Sequence, residues 1–425
     1  MKILVVGGGG REHAIIKKLA ESPRAEKIYA LPGNGGIGAL AQCVAGDPRD
    51  LQAVTEFATK QKVDFVVVAP DDPLVLGLVD ELHKAGIPCF GPEKKAAVIE
   101  GSKVFAKEMM EKYGIPTARY ETFEDQEAAL QYLKTVKYPV VVKADGLALG
   151  KGVIIAADEK EAAAALYGMM TEKRFGSSGS RVVIEEFLTG PEVSVLAFTD
   201  GKTMIPMVSS MDHKRALDGD LGPNTGGMGT IAPNPCYTPE IAGICMEKIF
   251  LPTMAAMNRE GRTFKGCLYF GLMLTAEGPK VIEYNCRFGD PETQVVLPLL
   301  TSDLLTIMEA VEEGRLAEVP VEFATGAAAC VIIASGGYPG EYQKGCQIGF
   351  GDVSRLRDVY VYHAGTKTRE DGALVTSGGR VLGVGAVGKD LEEALAKAYR
   401  GAKEIRFTGA FYRKDIGQKA LRAGK

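Results

Sequence analysis

The first hundred residues alternate short β-branched runs with amphipathic stretches, a pattern that leaves few folds open. KILVVG, KIYALPG, DFVVVAP and PCFGP read as strands, while REHAIIKKLAES, DLQAVTEFATKQ and LVLGLVDELHKAG between them carry helical spacing. This predicts an α/β fold whose N-terminal domain is a doubly wound parallel sheet with helices on both faces. Ligands of such sheets sit beyond the carboxyl ends of the strands, where the loops VGGGGREH, ALPGNGGI and VAPDDPLV fall. The first loop fails as a dinucleotide fingerprint. Glu12 stands where the third glycine belongs, and no well-placed acidic residue follows the second strand to hold a ribose. A phosphate at the helix N-terminus after Gly10 fits better, with Pro32–Gly36 as a second ring of backbone donors, against the alternative of plain tight turns.

Beyond this region the helix-like EKKAAVIEGSKVFAKEMMEKYG ends at Gly114 and Pro116, as a C-cap and breaker should. Residues 120–190 read as a compact α/β unit, residues 191–325 as mostly strands and loops, and the last hundred as further alternating strands with the amphipathic DLEEALAKAYRGAKEI. The expected division is 1–103, 104–325 and 326–425.

Fifty basic against 54 acidic residues give a net charge of −4, too balanced for a nucleic-acid or membrane-surface protein, so small-molecule partners are expected. The eight cysteines are scattered without a C-x-x-C pair, which argues for reduced thiols rather than zinc or disulfides. No signal peptide and no long apolar span is visible, and a cytoplasmic protein is expected.

Chemistry concentrates in four stretches. KADGLALGKGV, residues 143–153, is not a Walker A loop: Gly146 and Gly150 stand one residue too close, and Gly152 follows Lys151 in place of Ser or Thr. It reads instead as a glycine hairpin able to close over a nucleotide, or as an ordinary turn. In VIEYNCRFGD, Glu283 and Asn285 share one face of a strand, two oxygen donors of the kind magnesium accepts, and Arg287 extends that face with a fork suited to carboxylate or phosphate. SSMDHKR sets Asp212, His213, Lys214 and Arg215 in a row, a pattern more often a solvated face, with His213 either a base or a satisfied polar residue. VVIEEFLTGPE runs an apolar strand into Glu185 and Glu186, a shape suited to adenine, with Glu192 following for a ribose.

Together these pieces make an ATP site without a P-loop, and in this the chain resembles the ATP-grasp ligases. Within them it resembles the phosphoribosylamine–glycine ligase (glycinamide ribonucleotide synthetase) family, through GGREHAI, PGN, PLVLGLVD, EGSK, KADGLALGKGV, VIEEFLTGPEVS, DHKR, GPNTGGMG, VIEYNCRFGDPETQ, GGYPG, HAGT, GGRVL and YRKDIG. The resemblance spans nearly the whole chain. It implies an N-terminal doubly wound domain, an ATP-grasp core with a mobile lid at about 120–190 and a C-terminal α/β domain.

Carried over residue by residue, Lys103 and Lys143 would contact ATP phosphates, and Gly146, Gly150, Lys151 and Gly152 would belong to the flap above them. Glu185, Glu186, Phe187 and Leu188 would hold adenine, Glu192 the ribose, and Glu283 with Asn285 a divalent ion, Mg2+ or Mn2+. A second metal carboxylate of the wider superfamily falls on Gly271, so no acidic ligand is expected from that strand. The implied reaction joins glycine to 5-phosphoribosylamine through glycyl phosphate. Arg287 would bind the glycine carboxylate and Asp212 or Asp290 its ammonium, with Lys214 beside them in the catalytic group. Gly8, Gly9, Gly10, Arg11, Pro32, Gly33 and Asn34 would take the aminosugar phosphate. Two residues depart from the family's usual pattern in that pocket, Gly8 where Asn is usual and Asp71 where Glu is usual.

A monomer or weak homodimer is expected. Another ATP-grasp carboxylate–amine ligase is the alternative. A nucleotide-binding module descended from such an enzyme would have lost ligands that this chain keeps.

Overall fold

In the computed structural model, which describes residues 1–148 and 152–423, five parallel strands open the chain in the order Gln42–Cys43, Lys27–Pro32, Lys2–Gly7, Phe65–Val68, Cys89–Phe90. Ile3, Leu4, Val5 and Val6 are fully buried in succession, as a strand covered on both faces requires. Strand order reverses beside Lys2–Gly7, so the loops after this strand and its neighbours meet at the switch point.

The helical stretch that follows is broken in two, Lys94–Gly101 and Lys103–Lys112. Ser102 is extended between them; its hydroxyl accepts the Phe105 N–H at 3.1 Å and donates to Asp145 at 2.9 Å. An N-cap in the middle of a helical pattern thus sets Lys103 at the start of a new helix.

Two four-stranded antiparallel sheets come next. One orders Tyr120–Phe123, Val182–Glu186, Val140–Ala144, Val153–Ala156, and the other Met204–Pro206, Glu192–Thr199, Gly266–Thr275, Gly278–Asn285. The apolar runs on either side of the glycine-rich stretch pair as antiparallel strands, Lys143 opposite Val153. Gly150 and Lys151 lie outside the described residues. Residues 191–325 carry more helix than the sequence reading expects: Pro239–Cys245, Leu251–Arg259 and Leu304–Glu313 all pack apolar faces into the core.

A last five-stranded sheet runs Met211–Asp212, Gly229–Ala232, Ala327–Ala334, Arg380–Gly388, Val359–His363. Its first strand ends at Asp212, the start of DHKR, and its second begins at Gly229, the end of GPNTGGMG, so Asp212 stands on the edge of a sheet built mainly by the last hundred residues. No helix among the described residues is long and apolar enough to cross a membrane.

Candidate active site

The site grows from the end of the strand Gly278–Asn285. A bulge places Gly271 directly opposite Glu283, and a Cβ on Gly271 would lie 2.8 Å from the Glu283 Cγ. No acidic side chain fits there while Glu283 keeps its position. Lys214, its Nζ 3.1 Å from Glu283 Oε1, holds that carboxylate down to about 2, with Lys143 and Lys103 adding to it against burial. Glu283 in turn raises Lys214. Two residues on, the Asn285 amide oxygen accepts from Arg287 at 3.1 Å.

Arg287 is pinned by Glu100, 2.9 Å away, and Glu100 also accepts the Cys286 N–H at 2.7 Å. Burial opposes the guanidinium charge, but Glu100 and Asp71 outweigh it and keep Arg287 firmly protonated. Its Nε is buried and has no hydrogen-bond partner among the described residues.

The lysines arrive from the other side. Lys143 pairs with Glu185 of its own sheet at 2.9 Å and donates to the Ile282 carbonyl at 2.8 Å, which ties that sheet to the strand Gly278–Asn285. Lys103 donates to the Gly146 carbonyl at 2.9 Å; burial, then the Lys143 charge, lower its pKa although Glu283 opposes this. Asp145 locks the assembly by accepting from Ser102 and the Val104 N–H, both at 2.9 Å, and from Arg181 at 2.6 Å. Gly146 lies against Ser178, and Gly152 returns its carbonyl to the Ala144 N–H.

Of the expected adenine segment, Glu185 is buried with its carboxylate turned to lysines, Glu186 pairs with Arg119 at 2.7 Å, and Phe187 and Leu188 are exposed and half-buried. Glu192 is exposed at its strand start, near enough to Lys214 to add to that lysine's charge stabilisation.

The DHKR stretch is no free charged face. His213 is a structural residue: Nδ1 donates to the Gly229 carbonyl at 3.0 Å and Nε2 accepts the Gly417 N–H at 3.1 Å, and burial draws its pKa to about 4. Asp212 accepts only the His213 N–H, at 2.7 Å, among its described hydrogen bonds. Burial and the nearby Glu292 push its carboxyl upward. Asp290 is better satisfied, by Gln294 at 2.9 Å and Arg380 at 3.4 Å; burial would raise it, but Arg380 and Arg11 hold it low.

The N-terminal loops close the far side. Arg11 turns inward, 2.6 Å from Glu12 and 3.1 Å from the Phe288 carbonyl. A Cβ on Gly9 would come 3.4 Å from Asp290, and one on Gly10 2.6 Å from Gln294. Gly8 lies so close to Gly33 that a Cβ would meet its carbonyl oxygen at 2.3 Å, so the Asn usual at this position would require the two loops to part. The Gly33 N–H in turn bonds the Gly7 carbonyl, and Asn34 donates to the carbonyls of Gly8 at 2.9 Å and His363 at 2.7 Å. Of the expected residues, Lys143, Lys214, Arg287 and Arg11 therefore meet along residues 282–288, with Gly9 and Gly10 beside Asp290 and Gln294.

Models of the N, ATP-grasp (A) and C domains of phosphoribosylglycinamide synthetase match residues 1–100, 101–293 and 328–419 in turn. The chain belongs to this family. A phosphoribosylamine–glycine ligase of Caldanaerobacter subterraneus subsp. tengcongensis is 52% identical over 98% of this chain and 99% of its own length. The crystal structure of phosphoribosylamine–glycine ligase from Thermotoga maritima superposes with a TM-score of 0.86 at 35% identity, covering 98% of this chain and all of that one. A biotin carboxylase domain from Hydrogenobacter thermophilus, solved with MgADP, shares the fold at 17% identity and a TM-score of 0.73, over 100% of this chain and 95% of its own. The family is one of ATP-grasp ligases with three domains, and the chain is an enzyme of that kind.

The residues that sequence reading passed over are Glu100, Asp145 and Arg380, which pair with Arg287, Arg181 and Asp290, Lys107, 3.4 Å from Glu185, and Glu292, whose charge acts on Asp212. Glu100, Asp145, Glu292 and Arg380 were visible inside EGSK, KADG, GDPETQ and GGRVL; Lys107 gave no signal beyond a lysine in a helix.

Proposed function

We propose that the protein joins glycine to 5-phosphoribosylamine with ATP, giving glycinamide ribonucleotide, ADP and phosphate, a step of purine biosynthesis. The observation that carries this reading is the meeting of two half-sites at one strand end: lysines converge on Glu283, while Arg11 of the first loop bonds the Phe288 carbonyl five residues later. A glycine carboxylate oxygen attacks the γ-phosphorus of ATP, the bond to the β-phosphate oxygen breaks, and ADP leaves glycyl phosphate behind. The neutral amine of the aminosugar then attacks the acyl carbon, with release of phosphate and a proton.

Catalysis of the first step is mainly positioning and charge neutralisation. Lys103 and Lys143 hold the nucleotide phosphates, the backbone of the 185–188 strand end holds adenine, and Glu192 holds the ribose. Arg287 binds the glycine carboxylate and the new acyl phosphate, its Nε being a buried donor with no partner among the described residues. Asp212 receives the glycine ammonium, because Asp290 already has Arg380 and Gln294. Lys214 keeps Glu283 ionised. One carboxylate and one amide oxygen on a single face suit Mg2+ or Mn2+ completed by phosphate and water, and among the described residues no group of three acidic, His or Cys side chains offers a fuller cage. A divalent ion held by Glu283 and Asn285 supplies neutralisation of phosphate charge.

The loops Gly8–Arg11 and Pro32–Asn34 hold the aminosugar phosphate through backbone N–H groups. The units 1–103, 104–325 and 326–425 act together, with the lid at about 120–190 closing to keep water from the acyl phosphate. The enzyme works in the cytoplasm as a monomer or weak homodimer, which sedimentation of the pure protein tests.

Phosphate release from ATP, with phosphoribosylamine generated from ribose 5-phosphate and ammonia, is the direct assay. Release that needs both substrates and yields glycinamide ribonucleotide is expected; release with another acid or amine in their place would refute the substrates and leave the ligase chemistry.

A further inference from the structure

Beneath the nucleotide site one carboxylate serves two ammonium groups. Glu185, 4% exposed, sits 2.9 Å from Lys143 Nζ and 3.4 Å from Lys107 Nζ. Lys107, 3% exposed, also donates to the Thr117 hydroxyl at 2.8 Å and the Ala118 carbonyl at 3.1 Å, so its three protons are all placed. The face of the Tyr120 ring lies 5.3 Å from the same ammonium, and Glu186 is the next charge outward. Among the described residues Lys143 bonds Glu185 and the Ile282 carbonyl, and its charge also acts on Glu283.

We propose that Lys107 is a positioning residue for nucleotide binding: it holds Glu185 so that Lys143 can leave this carboxylate for a phosphate of ATP. The inference rests on the reading of Lys143 as a phosphate ligand. An unpaired buried carboxylate is costly, so Lys143 could not turn away from Glu185 unless a second cation stayed behind. Lys107 is that cation, anchored by acceptors that do not face the nucleotide. Glu185 is then a resting place for Lys143 in the empty enzyme, and Lys107 keeps its occupancy from becoming a trap.

The test is titration calorimetry of the full chain with MgATP in the absence of glycine. Lys107→Met should raise the ATP Kd by about tenfold, since Glu185 then retains Lys143. Adding Glu185→Gln to that variant removes the retaining charge and should return the Kd to within about threefold of the parent. A purely structural role for Lys107 predicts no such rescue. Unchanged affinity in Lys107→Met, or further weakening in the double variant, overturns the proposal.

Should Lys107→Met fail to fold by circular dichroism, Glu185→Gln alone decides: tighter ATP binding than the parent supports release of Lys143, and unchanged or weaker binding overturns it. Lys143→Met separates the two readings. Full ATP affinity there refutes Lys143 as a phosphate ligand, whereas a large loss beside a silent Lys107→Met removes only the role given to Lys107.

Discussion

Acid should open the seam between the DHKR stretch and the C-terminal segment at His213. The ring bridges two backbone groups as a neutral imidazole, donating to Gly229 and accepting from Gly417. Protonation would set an N–H against the Gly417 N–H, and burial adds to this, holding the pKa at about 4 against an ordinary 6.5. Between these values the opened chain binds more protons than the closed one, so stability is complete above the ordinary value and falls as the pH drops. From pH 7 to pH 5 the two titrations differ by about 1.8 kcal/mol, or about twentyfold in the opening equilibrium. Hydrogen–deuterium exchange of the peptide containing Gly417, corrected for intrinsic exchange, should lose protection by about that factor. His213→Gln, which keeps a donor and an acceptor but does not titrate, should lose far less. Equal losses in parent and variant would show that His213 does not govern the seam.

Other outcomes follow from the same geometry. Glu283→Gln should lower kcat for phosphate release by about 100-fold and raise the Mg2+ needed for half-activation, read by metal titration. Gly271→Asp should weaken Mg2+ activation rather than add a ligand, because its Cβ would crowd Glu283 at 2.8 Å; stronger activation would contradict this. Asp145→Asn gives up the Arg181 pair and loosens the start of the Lys103 helix. It should raise the KM for ATP by roughly tenfold with the far-ultraviolet circular dichroism unchanged. Arg380→Met, which frees the Gly226 and Asp290 carbonyls, should raise the KM for glycine more than that for ATP in steady-state assays.

The N-terminal sheet was legible because its period is strong: β-branched runs of four to six residues between helical stretches admit little else. The glycine hairpin was legible for a similar reason, its glycines lying between two apolar runs. What escaped was long-range. The break at Ser102 depends on Asp145, 43 residues away, whose carboxylate caps the new helix. The helix at Pro239–Cys245 does carry a local signal, Thr238 before Pro239, whereas Leu251–Arg259 has no side-chain cap at its start. His213 could not be resolved between base and structural group, because its deciding partner is Gly417. The family motifs supplied names for the ligands, and it was the buried supports behind them that needed three dimensions.

The Asn34 amide and the His13 ring are both completed by the backbone of His363. During synthesis the first sheet can form early, but these two side chains wait for more than three hundred further residues before their partners exist. A chain stopped short of the last domain would keep its opening strands and still leave Asn34 and His13 without these partners. The carboxyl domain thus completes, last, the hydrogen bonding of loops whose strands are made first.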